Sequence, residues 1–176
     1  PSQHDELIRA VAATNAKTIV VLSNGAPVEM PWLTEVGAVL EAYLGGQAAG
    51  GGLADILMGR SNPCGKLAET FAEQLSDIPA QRWFPGEDRQ IQYREGLYIG
   101  YRYFDTARRP VLFPFGHGLS YTRFEISEAK LSGDTLTPKG SVFLEVQIKN
   151  TGALDGAEVV QVYRHSKDSA VHRPDQ

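Results

Sequence analysis

The chain has 176 residues, 42% of them hydrophobic, and a formal net charge of −4. This length holds one ordinary domain, or one domain and part of a second, and the composition supports a buried core rather than disorder. The acidic balance excludes a nucleic-acid surface, which needs Lys and Arg concentrated on one face, and no apolar run approaches the roughly 18 residues that cross a membrane.

The first six residues, Pro1 to Glu6, lack the basic and apolar regions of a signal peptide, so the segment reads as soluble with its compartment open. A single cysteine, Cys64, excludes an internal disulfide. The absence of Met at position 1 suggests residues upstream.

Leu7, Ile8, Val11 and Ala12 share one helical face, with Ser2 or Asp5 available as a cap and Asn15 placed to end the helix in a left-handed conformation. Thr18 to Leu22 is a continuous β-branched apolar run, the pattern of a strand covered on both faces. Asn24 to Pro27 breaks it, and Pro31 to Val36 starts a helical turn. Ala38 to Leu44 reads as a second strand, with helix as its competitor by periodicity. Ala49, Leu53, Ile56 and Leu57 mark the buried stripe of a helix ended by Gly59. Leu67 to Phe71 is a third possible strand.

That order predicts a layered α/β sandwich with a mainly parallel sheet. Its expected core is Ile19, Val21, Leu40, Leu53, Ile56 and Leu57. After about residue 119 the period changes to two: Phe124 and Ile126, then Val142, Leu144, Val146 and Ile148. Val159 to Tyr163 is a further expected strand after the turn Asn150-Thr151-Gly152. About three strands fit where a β-sandwich needs roughly seven, so this second unit reads as an incomplete antiparallel β-sandwich and the chain as a fragment.

Candidate chemical motifs give little. The glycine-rich stretch Gly45 to Gly52 sits between strand and helix, as a phosphate cradle would. Gln47, however, takes the middle glycine of G-x-G-x-x-G and no lysine follows Gly51, so a sharp turn and close helix–strand packing explain it better. Ser23 follows a strand without the G-x-S-x-G elbow. His4, His117, His165, His172 and Cys64 show no metal-ligand spacing, so no metal site and no cofactor are expected. Glycosidases require two facing carboxylates, about 5–5.5 Å apart for retention, and spacing singles out no such pair. Tyr93-Arg94-Glu95-Gly96 and Gly100 to Asp105 are dense in aromatics and charge. A sugar platform is one reading, and a packed interdomain linker, with Glu95 capping a turn or pairing with Arg102, is the favoured one.

These segments also carry a resemblance. Val28-Glu29-Met30-Pro31-Trp32 after Asn24-Gly25, Ala42 to Gln47, Leu53 to Gly59 and Asn62-Pro63-Cys64-Gly65-Lys66-Leu67 follow one another as in family 3 glycoside hydrolases of the β-glucosidase kind. Tyr93-x-Glu95-Gly96, Gly100 to Asp105 and Phe113 to Thr122 continue the series. Asn150-Thr151-Gly152, Gly156-x-Glu158-Val159-Val160-Gln161 and Arg173-Pro174 resemble the fibronectin type III-like domain that ends many members. Cys64 stands where the family usually has serine, and Gly45 where many members have proline. The Tyr-Leu-Gly-Gly-Gln form is similar to the branch that often carries a PA14 insertion, of which nothing is present.

The resemblance implies residues 1–90 as part of a C-terminal α/β sandwich domain, 91–119 as an interdomain linker and 120–176 as the start of a fibronectin type III-like domain. It implies a parent retaining β-glucosidase that releases terminal β-linked glucose from oligosaccharides and glucosides, with this segment supporting the active-site cleft. The family's nucleophilic aspartate lies on an N-terminal barrel. Its acid/base glutamate in this branch lies in a Glu-Gly motif ahead of the opening helix. Arg94-Glu95-Gly96 matches the downstream Y-x-E-G element instead, so no catalytic residue is assigned, substrate-binding residues stay unknown, and the isolated chain is expected to be inactive. The expected partners are a β-glucoside or oligosaccharide and the remaining domains of the same enzyme. Alternatives are a non-catalytic carbohydrate-binding or scaffolding module and, more weakly, a flavodoxin-like ligand-binding domain.

Overall fold

In the computed structural model, residues 2–87, 90–165 and 170–175 are described. Helix α1 spans Ser2–Thr14. Asp5 does not cap it: its carboxylate accepts the Trp32 indole N–H at 2.9 Å, which ties the first turn to the core. Nor does Asn15 enter the left-handed region. Its backbone N–H bonds to Val11 and Ala12, and its side-chain oxygen takes the Lys17 N–H at 2.9 Å, an Asx turn that ends the helix by another route.

Strand β1 (Ile19–Leu22) pairs in parallel with β2 (Ala38–Glu41), Ile19 facing Ala38 and Leu22 facing Glu41. Between them runs a 3₁₀ turn, Leu33–Glu35, inside the segment expected to be helical. β2 stops three residues before the expected Leu44, because Tyr43 turns to φ +45°. Helix α2 follows at Ala49–Leu57. The Gly59 N–H bonds to Ile56 and the Arg60 N–H to Asp55, with Gly59 at φ +69°. This is a Schellman end, a conformation that a Cβ would strain. The close-packing reading holds at Gly45, where a Cβ would lie 2.7 Å from that of Ala49, but not at Gly46, Gly50, Gly51 or Gly52, where a Cβ would meet nothing within 4 Å.

Leu67 to Phe71 forms no third parallel strand. It runs antiparallel to a return segment at residues 112–117. Phe71 donates to Phe113 at 2.9 Å, Leu112 donates to Phe71 at 2.8 Å, and Gly116 donates to Leu67 at 2.8 Å. Helix α3 (Tyr101–Thr106) lies within the stretch read as linker and had no sequence signal beyond its aromatics. Tyr101 stacks on Phe115 at 4.9 Å, and Arg102 lies over the Tyr101 ring.

The second unit is a hairpin of β3 (Phe124–Leu131) and β4 (Leu144–Asn150) with a bulge between Ser127 and Lys130. Its register puts Phe124, Ile126, Leu131, Leu144, Val146 and Ile148 on one face, and Glu125, Ser127, Lys130, Glu145, Gln147 and Lys149 on the other. Val159 to Tyr163 is not a strand. No neighbouring strand offers it a ladder among the described residues, and it is held by side chains instead.

The core is Met30, Trp32 and Phe71, packed by Ile8, Val20, Leu22, Val39, Leu67 and Phe113. Trp32 is 2% and Phe71 1% exposed. The two expected core residues of β1 therefore lie on the wrong face. Val20 and Leu22 point inward, while Ile19 and Val21 (40% exposed) point to the other side; Leu57, on α2, is 45% exposed, and Leu40, Leu53 and Ile56 are half-buried. A run apolar on both faces does not reveal which face a given segment of chain covers.

Phe71→Ala should cost about 3–5 kcal/mol, because a fully enclosed ring leaves a cavity. Val21→Ala and Leu57→Ala, already half wet, should each cost less than about 1.5 kcal/mol. Chemical denaturation of the three variants checks the ranking, and a Val21 loss larger than that at Phe71 would place the core on the other face.

Candidate functional site

In open α/β sheets, polar groups gather beyond the carboxyl ends of the strands, where the ladder stops and backbone groups need partners. Here β1 is followed by Ser23 and Asn24, and β2 ends in Glu41, two residues before Tyr43. The Ser23 hydroxyl donates to the Tyr43 carbonyl at 3.1 Å, and the Tyr43 N–H donates to Glu41 Oε1 at 2.8 Å. Together these bonds hold Tyr43 in its left-handed turn. Asn24 Nδ2 donates to the Ala26 carbonyl at 2.6 Å.

Four atoms near these strand ends or on the segment at Glu69 are buried without a hydrogen-bond partner: Asn24 Oδ1, Glu41 Oε2, the Tyr43 hydroxyl and Thr70 Oγ1. Such atoms are rare in folded proteins, and a group of them marks a place worth probing. Glu69 joins the group electrostatically. Burial and then the Glu41 charge hold its carboxyl above the usual range. Burial, followed by Glu69 and Glu41, raises the Tyr43 phenol. A carboxyl and a phenol that resist ionising beside a second acidic side chain are a feature of binding and proton-handling sites.

Beside this edge an open cleft of about 910 Å³ runs between α1 and β1, lined by Leu7, Val21, Asn24, Glu29, Trp32 and Leu75 among others. Glu29 Oε1 takes the Leu75 N–H at 2.5 Å, so that carboxylate serves to fix a loop.

The residues singled out from sequence are scattered. His4 lines the cleft, His117 stacks on Phe113, His172 meets Tyr98, and His165 meets Asp175. Cys64 is exposed and alone. No three His, Cys, Asp or Glu side chains gather in a cation-sized group among the described residues. Tyr93 is exposed, and Arg94 covers the Trp83 ring at 4.1 Å, which leaves that ring one face fewer for a sugar. Glu41, Tyr43, Glu69 and Asn24 were not found as a set. The signal present was polar residues closing apolar strand runs. Their convergence depends on the parallel pairing and on the 67–71 segment.

Because the folded state resists ionising Glu69, its penalty grows as pH rises past the ordinary carboxyl value, near 4.3. Glu69→Gln should therefore raise the melting temperature at neutral pH, with the gain vanishing below that value. Melting curves at both pH values test this, and a neutral-pH loss would mean that Glu69 is stabilising as an anion.

Residues 1–121 match the glycosyl hydrolase family 3 C-terminal domain. The chain is 51% identical over 175 residues to thermostable beta-glucosidase B of Acetivibrio thermocellus, covering 99% of this chain and 23% of that protein. It is 44% identical to a beta-glucosidase of Rhizobium radiobacter, again over 99% of the chain and 22% of the relative. Among solved structures, a family 3 β-glucosidase of Bifidobacterium adolescentis superposes with a TM-score of 0.91 at 41% identity, over 99% of this chain and 26% of that one. The Kluyveromyces marxianus β-glucosidase solved with glucose gives 0.91 at 40% identity, over 100% and 21%. The chain thus spans about a quarter of the length of these relatives. The fold superposes on theirs along nearly the whole chain, and the chain belongs to glycosyl hydrolase family 3.

Proposed function

We propose that this chain is one part of a retaining β-glucosidase that hydrolyses terminal β-linked glucose from oligosaccharides and glucosides. The observation that carries this reading is the 51% identity along 99% of the chain to a protein named as a β-glucosidase. The glucose bound by the Kluyveromyces relative supports the sugar class. Residues 1–90 then belong to the α/β sandwich unit, 91–119 to a linker packed by Tyr101 and Phe115, and 120–176 to the start of a fibronectin type III-like unit.

The role of the segment is to support the cleft rather than to perform the bond cleavage. Retention uses two carboxyls about 5–5.5 Å apart, one as nucleophile and one as acid/base. Both lie outside this chain in the proposed enzyme. Open α/β sheets bind ligands beyond their strands' carboxyl ends, so the edge formed by Asn24, Glu41 and Tyr43 is the part turned toward substrate. The remaining domains cover what this segment leaves wet, including Ile19 and Val21 on the sheet and the apolar face of the β3–β4 hairpin. Nucleic acid and membrane have no place in the reading. Among the described residues no helix is long and apolar enough to cross a bilayer.

The pure 176-residue chain should not hydrolyse an aryl β-glucoside, since loss of both nucleophile and proton donor removes most of the rate. Turnover that disappears in Glu41→Gln or Glu69→Gln would show that the chemistry resides in this chain and would overturn the assignment.

A further inference from the structure

Three stretches meet along one seam: residues 62–67, the return segment at 112–122, and the arm at 154–163. Leu67 donates to the His117 carbonyl at 2.8 Å, and Gly116 donates back to Leu67 at 2.8 Å. Lys66 Nζ donates to the Gly118 carbonyl at 2.7 Å and pairs with Glu158 Oε1 at 2.8 Å. Gln161 Nε2 donates to the Gly116 carbonyl at 3.1 Å. Asn62 adds a further clasp, accepting from Ser120 Oγ and the Tyr121 N–H and donating to the Asp155 carbonyl.

His117 sits at the centre of this arrangement. Its ring stacks on Phe113 at 4.9 Å. The two carbonyls that the arm and Lys66 depend on belong to Gly116 and Gly118, its immediate chain neighbours. Any shift of the His117 backbone therefore moves both acceptors at once. The Lys66–Glu158 pair is largely enclosed, with side chains 15% and 17% exposed, so Lys66 cannot swing away without breaking it.

We infer that His117 is an acid-sensitive switch on this seam: a proton gained beside the Lys66 charge displaces the return segment and releases the 154–163 arm.

Among the described residues the charge that bears on His117 is Lys66, from the paired segment, and Glu158 answers Lys66 from the arm. Phe113 presents only an uncharged ring. Burial and then the Lys66 charge hold the imidazole below its ordinary value. A histidine depressed in this way stabilises the fold while neutral, and that contribution is lost as pH falls from about 6.5 through the folded value. Glu158 is also held low, first by the Lys66 hydrogen bond and then by the Val159 N–H. Its contribution is lost as pH falls below about 4.3.

The test is amide hydrogen exchange on the 176-residue chain between about pH 7.5 and pH 5. Protection factors at Leu67, Gly116 and Val159 should fall several-fold with acid, while that at Ala42, which bonds to Leu22 in the sheet, holds steady. His117→Gln should abolish the fall. In the unmutated chain, NMR titration of the imidazole should give the same midpoint as the loss of protection, a check that needs no variant to fold. Unchanged protection in acid, a fall that persists in His117→Gln, or midpoints that differ would each overturn the inference.

Discussion

Phe71 is bound on two sides, and most of the fold depends on that. Its ring closes the core with Met30 and Trp32, while its backbone pairs with Phe113 on the return segment. The ring is an edge-on neighbour of Phe113, with centroids 6.4 Å apart. One residue thus joins the α1–β1–β2 layer to the chain that leads into the hairpin. An aromatic pair of this kind adds about 1 kcal/mol to the burial of the rings themselves. The backbone bonds add direction, because they fix which residues of 112–117 reach Lys66 and the arm.

The seam follows from that register. Once Leu67 and His117 are paired, Lys66 and Gly118 are brought together, and Glu158 completes a largely enclosed ion pair. An enclosed pair is weak evidence for net stability, since desolvation offsets the attraction, but it is strict about geometry. The hairpin is thereby attached in one orientation, with its apolar face turned away from the polar one. The exposed pairs Arg9–Glu35 and Arg60–Asp55 contribute little by comparison.

Much of this was legible from the residues. The 3.6-residue spacing in Leu7–Ala12 and Ala49–Leu57 marked two helices, Gly59 marked an end, and the alternation in 124–126 and 144–148 marked a hairpin with one apolar face. What failed did so for identifiable reasons. Thr18–Leu22 is apolar at every position from Ile19 on, so periodicity could not say that Val20 and Leu22, not Ile19 and Val21, meet the Trp32 cluster. Leu67–Phe71 has a strand's composition, but its partner lies some forty residues on and runs antiparallel. Val159–Tyr163 has high β propensity and, among the described residues, no strand beside it, and propensity without a neighbour forms no ladder. The carboxyl-edge group is a similar case. Glu41 and Glu69 are far apart in sequence, and only the packed segment lets one charge raise the other's pKa.

The central claim is that the α/β layer, the return segment and the arm form one cooperative body through Phe71. Native-state hydrogen exchange in increasing denaturant at neutral pH measures this directly. The amides of Phe71, Leu112 and Gly116 should open with the same free energy and denaturant dependence as that of Ala42 in the sheet. Opening of the return-segment amides at markedly lower free energy, while Ala42 stays protected, would show two separately folding parts and contradict the claim.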